Sequence, residues 1–460
     1  MGTVSCKING QSVACEAGTT ILEAARAAGI EIPTLCYLKD VNQVGACRMC
    51  VVEIAGMPRL MAACTTAVTE GSEIYTESEK VIASRRTTLD LLCKRHRMDC
   101  EYCPDYTYCE LHALIRKYGL DERKYSQVYH PRTADETSAS IVRDPSKCIR
   151  CRRCVATCKK QGVEAVGALN RAAATAIGAV IPRADTGCIG CAQCVKNCPT
   201  GALSVRDETN LLHRAHNEKK IMVFGVMPET AQNIGKFFGE EEPGNELGRI
   251  TAIARKVGVD AVYDLSGIGA LAAEEAAERI REKQKTSGGA VLASACPGIR
   301  HYFKDCGDLV EIKSNEELFH QLVTEEYEHL GISREQLFIV YISPCAAAKR
   351  KHVCDAILTT TELYQWMLRI CVSRFTMRQV WNTAKPAEAK CLKALADGKN
   401  DTDLRACLEN LLGQEVKKAE GIAEGKRLPE PPGVWIASAC PGGCRNGGGQ
   451  FRTQAFIKSH

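Results

Sequence analysis

Two stretches decide how this chain folds: CIRCRRCVATC at residues 148–158 and CIGCAQCVKNC at 188–198, the second followed by Pro199. Each carries Cys-x-x-Cys-x-x-Cys-x-x-x-Cys, thiols too close together for most disulfides but well spaced to close around a metal centre. This run holds pairs of 4Fe–4S clusters in which the fourth cysteine of each run ligates the other cluster. One cluster then takes Cys148, Cys151, Cys154 and Cys198, and the other takes Cys188, Cys191, Cys194 and Cys158. Lys159 stands where proline usually follows the first run, a departure that leaves the ligands intact. Residues 139–208 are read as a bacterial two-4Fe–4S domain, and two such clusters in series conduct electrons.

Working outward, the chain has 460 residues, room for several domains, and 27 cysteines, an odd number that argues against a disulfide framework. Nineteen of the 27 fall into five groups assigned here to metal. The opening MGTVSCKING lacks an apolar leader and no run of 18 apolar residues occurs, so the sequence predicts a cytoplasmic protein with no membrane partner. With 45% hydrophobic and 25% charged residues, disordered, collagen-like and coiled-coil classes are excluded. The formal charge of +5 omits the clusters, whose thiolates would add roughly −7. No nucleic-acid partner is inferred from it. The basic residues Arg150, Arg152, Arg153, Lys159 and Lys160 either neutralise nearby clusters or form a docking face for an acidic electron carrier.

Upstream, residues 3–15 alternate around Asn9-Gly10, a strong hairpin signal. Thr20 to Glu23 reads as a capping box that opens a helix, ILEAARAAG, closed by Gly29. Hairpin, helix and a cysteine-rich loop predict a β-grasp 2Fe–2S ferredoxin domain over 1–78, with ligands Cys36, Cys47, Cys50 and Cys64. Zinc on the same pairs is the alternative. Residues 79–138 form a small module whose HRMDCEYCPDYTYC offers His96, Cys100, Cys103 and Cys109. Three thiolates and an imidazole suit zinc or a 4Fe–4S cluster, and the neighbouring clusters favour iron. An imidazole in place of a thiolate removes negative charge and raises the potential.

Downstream of a polar linker near 206–220 (DETNLLHRAHNEKK), the pattern changes to an α/β domain over 220–460. IMVFGVM (221–227), AVLA (290–293), LFIVYI (337–342) and VWIA (434–437) are apolar runs suited to buried parallel strands, with helices such as EEAAERIREKQK (274–285) between them. Three of the runs lead into cysteine loops, ASACPGIR (293–300), ISPCAAAKR (342–350) and ASACPGGCRNGGGQ (437–450). Sites in open α/β sheets form beyond the carboxyl ends of strands. Cys296, Cys345, Cys440 and Cys444 would converge there on another cluster, whereas Cys306, Cys354, Cys371, Cys391 and Cys407 read as structural. Prolines after Cys296 and Cys440 and the run Gly447–Gly449 shape tight turns.

This order of modules resembles the FeFe-hydrogenase family along nearly the whole chain. VMPETAQNIGKFFG (226–239), VYDLSGIGALAAEEAAE (262–278) and DAILTTTEL (355–363) resemble family segments around the three loops. The resemblance implies an H-cluster, a 4Fe–4S cube on Cys296, Cys345, Cys440 and Cys444, with Cys444 bridging to a diiron unit that carries CO, cyanide and azadithiolate. It implies reversible conversion of H2 to protons and electrons, exchange with ferredoxin or a similar carrier, and dependence on H-cluster maturation proteins. The accessory cofactors would be one 2Fe–2S cluster and three 4Fe–4S clusters, one of them His-ligated.

Three departures mark the chain. Ala295 stands where the family has its proton-donating cysteine, and Ile299 replaces a tryptophan. An alanine exchanges no proton. Ser343 and Ser438 replace methionines facing the diiron unit, and Ala348 replaces the lysine that meets a cyanide, leaving Lys349 one position on as its candidate substitute. Glu275 and Glu278 resemble the family's acidic relay residues, or are solvated helix charges; the relay serine is missing near Val310–Glu311. The expectation is a hydrogenase with an altered proton relay. A hydrogen-sensing protein with little turnover, or an electron-transfer subunit without the diiron unit, are the alternatives. No Gly-x-Gly-x-x-Gly follows a strand, which argues against direct NAD reduction by this chain.

Overall fold

The computed structural model describes residues 2–103, 105–125, 133–171, 174–179, 187–239, 244–287, 291–304, 309–370, 380–381, 388–391, 404–412, 414–420, 434–440, 444 and 450. At the N-terminus, β1 (Thr3–Ile8) and β2 (Gln11–Glu16) form the hairpin around Asn9 and Gly10, both at positive φ. Helix α1 (Ile21–Ala27) is capped by Thr20, whose hydroxyl accepts the Glu23 N–H at 3.3 Å. The capping box is only half made, because the Glu23 carboxylate accepts from the Tyr37 hydroxyl and Arg26 instead. Gly29, at φ +75°, ends the helix: Ile30 N–H reaches back to Ala25 O and Gly29 N–H to Arg26 O, which satisfies the last carbonyls. With β3 (Val51–Ile54), β4 (Met61–Ala62) and β5 (Glu73–Tyr75) the strands form a mixed sheet in the order β2-β1-β5-β3-β4.

Two helices, α2 (Glu79–Cys93) and α3 (Glu110–Lys117), flank the loop that carries His96 to Cys109. Two antiparallel strand pairs follow, β6 (Ile141–Arg143) with β9 (Leu203–Val205) and β7 (Gly167–Leu169) with β8 (Ala176–Gly178). Helices α4 (Arg153–Lys160) and α5 (Gln193–Lys196) begin inside the two cysteine runs.

The stretch read as a polar linker is largely helix, α6 (Thr209–Asn217). Leu212 and Ala215 are buried among the α/β core, and Glu208 is buried just before it, so these residues belong to the domain they lead into. That domain has two parallel sheets rather than one. The first has the order β15 (Ala356–Leu358), β14 (Leu337–Ile342), β10 (Ile221–Val226), β11 (Ala261–Asp264), β16 (Lys390–Cys391). The second has β13 (Leu309–Glu311), β12 (Val291–Ser294), β18 (Val434–Ser438) and β17 (Val416–Glu420).

Both faces of the first sheet are covered, which is why its strands are apolar throughout. Phe224, Val262, Val340 and Ile342 pack under α7 (Pro228–Phe238), α8 (Glu246–Lys256) and α12 (Thr360–Ile370). Val223, Tyr263, Ile339 and Tyr341 face the other way, toward α9 (Ile268–Ser287) and α11 (Asn315–His329). That second core also takes in Val291, Ala293, Val416 and Val434, so the two sheets share it. Among the described residues no helix is long and apolar enough to cross a membrane.

Candidate metal centres

The two cysteine runs have one backbone between them. Arg150 and Arg152 in the first, and Gly190 and Ala192 in the second, all take positive φ between +54° and +70°. Three of these four are not glycine, so the conformation costs energy, and successive N–H groups turn inward as in an anion-binding nest. Cys148, Cys151, Cys154 and Cys198 line one pocket, and Cys158, Cys188, Cys191 and Cys194 line another. Burial pushes the Cys151 thiol up to about 12, with Cys198 adding to it, and drives Cys154 and Cys191 well above the usual thiol range. Thiols this crowded and dry ionise only when a cation takes the place of their protons, the behaviour of metal sites. Every described cysteine is a free thiol. The donor sets therefore fit iron–sulfur clusters.

Cys36, Cys47, Cys50 and Cys64 are likewise buried together, the Cys50 and Cys64 sulfurs 3.3 Å apart and the Leu35 N–H donated to Cys47 Sγ. His96 is buried, and burial lowers it to about 4, so its ring is neutral. Its Nδ1–H donates to the Lys147 carbonyl at 3.0 Å, which leaves the Nε2 lone pair available to a metal. Burial lifts both Cys100 and Cys109 to about 12. His112, which the sequence reading passed over, has Nε2 2.9 Å from Glu122 and comes close to Cys100.

The modules meet at their cysteines. One apolar cluster contains Cys36, Cys47, Cys109 and Cys151. The buried Asn42 amide donates to Cys36 O at 2.7 Å and to Cys151 O at 3.1 Å. Arg153 is not a surface charge: it is 4% exposed and holds Glu110 of α3 in two bonds of 2.6 and 2.9 Å. Of the basic group, it is a clamp between modules and cannot belong to a docking face.

In the α/β domain the three loops leave β12, β14 and β18 at their carboxyl ends. The Cys345 thiol is driven up by burial and then by the charges of Cys296, Cys444 and Cys440, so all four are brought to one place. A serine stands two residues before each loop's first cysteine. Ser294 Oγ accepts the Cys296 N–H at 3.0 Å and donates to Ala437 O, which ties two loops together. Ser343 Oγ accepts the Cys345 N–H at 3.2 Å, and Ser438 Oγ donates to Cys440 O at 3.4 Å. These hydroxyls shape their own loops.

Lys349 requires a firmer correction. It is fully buried, and its ammonium lies against Ile357 O, Glu362 Oε1 at 3.0 Å and Glu208 Oε1 at 3.3 Å. Two of its donors go to Ile357 O and Glu362 Oε1, and Glu208 stands at ion-pair distance, so the ammonium is committed to this buried acidic pair. Glu275 and Glu278 lie on the exposed side of α9, with Glu275 paired to Lys313 at 3.0 Å, because Ala276, Ala277 and Ile280 take the buried side. They are solvated helix charges.

A residue the sequence reading missed is Glu229, at the start of α7. Its Oε2 is buried with no hydrogen-bond partner among the described residues. Cys444 has open surface yet is ringed by protein, which pushes its thiol up, with Cys296, Cys440 and Glu229 adding to the rise. Arg350 was missed too: it donates to Cys188 O and lies 3.0 Å from His301 Nε2, fastening the Cys345 loop to the second ferredoxin run. Cys191 and Cys440 feel each other's charge across the same junction. Cys354 is buried and Cys407 packs on the core, while Cys306, Cys371 and the Gly447–Gly449 run lie outside the described residues.

Buried thiol sets joined through a ferredoxin-like pair to an α/β cysteine site define an iron–sulfur oxidoreductase. Residues 220–428 match the model for the iron-only hydrogenase large subunit, C-terminal domain. Residues 2–79 match a 2Fe–2S iron–sulfur cluster binding domain, 139–205 a 4Fe–4S dicluster domain, and 85–124 the iron–sulfur binding region of NADH-ubiquinone oxidoreductase G. The NADP-reducing hydrogenase subunit HndD of Solidesulfovibrio fructosivorans is 30% identical, over 98% of this chain and 89% of its own. Iron hydrogenase 1 of Clostridium pasteurianum is 30% identical over 77% of this chain and 66% of its own. The NADPH-Fe(3+) oxidoreductase subunit alpha of Geobacter sulfurreducens is 38% identical over 44% of this chain, but only 24% of its own length is spanned. The chain belongs to the FeFe-hydrogenase family.

Proposed function

We propose that this chain interconverts H2 with protons and electrons at an H-cluster that Cys296, Cys345, Cys440 and Cys444 would hold, Cys444 being the thiolate that would also serve the diiron unit. The observation that carries the reading is the convergence of these four thiols on loops from two sheets, seated against the 188–198 run. When bound, the H-cluster supplies the hydrogen redox chemistry. The chain's own residues hold and serve it. Ser294 and Ser343 lock the loop backbones, Arg350 fixes the junction to the electron path, and Ala295 leaves the family's donor position without a proton. Glu229 is the acid left at Cys444.

Cys188, Cys191 and Cys194 with Cys158, and Cys148, Cys151 and Cys154 with Cys198, would hold two 4Fe–4S clusters that supply electron transfer to this site. Cys36, Cys47, Cys50 and Cys64 would hold a 2Fe–2S cluster, and His96, Cys100, Cys103 and Cys109 a further 4Fe–4S cluster, as two outer branches of that path. In this reading the domains run 1–78, 79–138, 139–208 and 220–460, the location is cytoplasmic, and maturation proteins load the diiron unit. The NADP-reducing name of the HndD relative supports nicotinamide as the final acceptor, reached through a partner subunit, in place of free ferredoxin.

The test is H2-dependent dye reduction by anaerobically matured protein, normalised to diiron occupancy; sustained turnover supports the reading and refutes a vestigial electron-transfer subunit. The outward-facing Glu275 and Glu278, together with Ala295, favour one second reading, a hydrogen sensor with little turnover. Full occupancy with almost no turnover would select it.

A further inference from the structure

Lys147 is 5% exposed, and among the described residues no carboxylate lies within ion-pair distance of it. The nearby acids are spent elsewhere: Asp99 and Asp144 both pair with Arg97, at 2.9 and 3.0 Å. Lysine is almost never buried unless paired, because stripping water from an ammonium is expensive. The Lys147 ammonium meets a sulfur instead: Nζ lies 3.3 Å from Cys103 Sγ. Its carbonyl takes the Nδ1–H of His96 at 3.0 Å and the Thr200 hydroxyl at 2.8 Å. The next residue in the chain is Cys148, and the Arg97 N–H donates to Ser146 O two residues before it. One buried residue thus touches two candidate ligands of one cluster and is covalently joined to a ligand of the next.

We propose that Lys147 is a positioning and charge-compensating residue for the His96–Cys109 cluster that sets its reduction potential. The inference rests on the reading of His96, Cys100, Cys103 and Cys109 as ligands and goes beyond it. A cluster on three thiolates and an imidazole is anionic and gains a further negative charge on reduction. An ammonium against one of its sulfurs stabilises the reduced state more than the oxidised one, and hydrogen bonds to sulfur and net charge are the levers that set such potentials. Through its carbonyl the same residue fixes the His96 tautomer and ring orientation. A potential raised in this way would make this cluster the electron-retaining branch of the path.

The experiment is a redox titration of the full-length, anaerobically purified chain, followed by electron paramagnetic resonance, with no need of the diiron unit. His96→Cys identifies the signal of this cluster. Lys147→Met removes the charge at nearly constant length, and Lys147→Arg keeps it. The expected result is a fall of at least tenfold in the reduction equilibrium constant in Lys147→Met, ~59 mV for one electron. Lys147→Arg should stay close to the unsubstituted chain, and the 2Fe–2S signal should not move in either. An unmoved midpoint in Lys147→Met, with the His96 signal clearly assigned, overturns the proposal and leaves the ligand reading standing. No spectral change in His96→Cys overturns the ligand reading first, and the proposal with it. Should Lys147→Met lose the cluster, Lys147→Gln, which keeps a donor without the charge, takes its place, with the same expected fall and the same overturning result.

Discussion

Replacing Lys349 with methionine tests whether this lysine braces the fold or reaches a cofactor. Lys349 is 0% exposed, and the Glu208 and Glu362 side chains are each 5% exposed. Removing one partner of a buried ionic group leaves its counter-charges unpaired, at about 3–5 kcal/mol. Here two carboxylates lose the same ammonium, so the upper half of that range is expected. For a domain of this size each kcal/mol shifts Tm by roughly 2–4 °C, so the drop should be roughly 8–20 °C. Burial already raises Glu362 above the usual glutamate range, against the opposing pull of Lys349. A carboxyl whose folded value is raised adds stability below its unfolded value, about 4.3, and loses that contribution as pH rises through the folded value. Without the lysine the rise is larger, so the deficit of Lys349→Met should be greater at pH 8 than at pH 6. Thermal unfolding of the cluster-loaded protein at both values measures it, and hydrogen exchange over residues 356–363 localises it. A loss under about 1 kcal/mol, combined with shifted cyanide infrared bands in matured protein, would refute the bracing role and return Lys349 to the cofactor.

Three further outcomes are expected. Ala295→Cys restores a thiol to a loop that has no exchangeable side chain there, and hydrogen turnover should rise about 10²-fold or more; an unchanged rate would show that protons arrive by another route. Arg153→Ala breaks the buried two-bond clamp to Glu110 and should cost about 3–5 kcal/mol, with little further loss when Glu110→Ala is added; additive losses by denaturant unfolding would mean the pair is not coupled. Burial lifts Glu316 to about 7, so the unsubstituted protein should lose stability as pH rises through that value. Glu316→Gln, which can still accept the Val353 and Cys354 N–H groups, should flatten Tm between pH 6 and 8, and a slope equal to that of the unsubstituted chain would contradict the assignment.

What could be read from the sequence was whatever spacing alone dictates. A hairpin at Asn9-Gly10, a helix stop at Gly29, and two cysteine runs of identical spacing are local matters, settled within a dozen residues. Apolar runs at 221–227 and 337–342 announced strands covered on both faces for the same reason. The sequence also showed that Ala295 lacks a thiol, since that is a matter of identity rather than geometry.

Tertiary packing decided the rest. The i, i+3 pair Glu275 and Glu278 was legible as one helix surface, but only the packing of Ala276, Ala277 and Ile280 determined that this surface faces water. Lys349 was legible as a charge near a cysteine loop; Glu208 and Glu362, 141 and 13 residues away, decided where its ammonium goes. The polar residues near 206–220 concealed a helix, because Leu212 and Ala215 meet their apolar partners only when the α/β core assembles. Asn42, Lys147, Arg350 and Glu229 carry no spacing signal of their own. Each matters because of a group far along the chain, and hydrogen bonds and charges act over a few ångströms of space, whatever the separation in sequence.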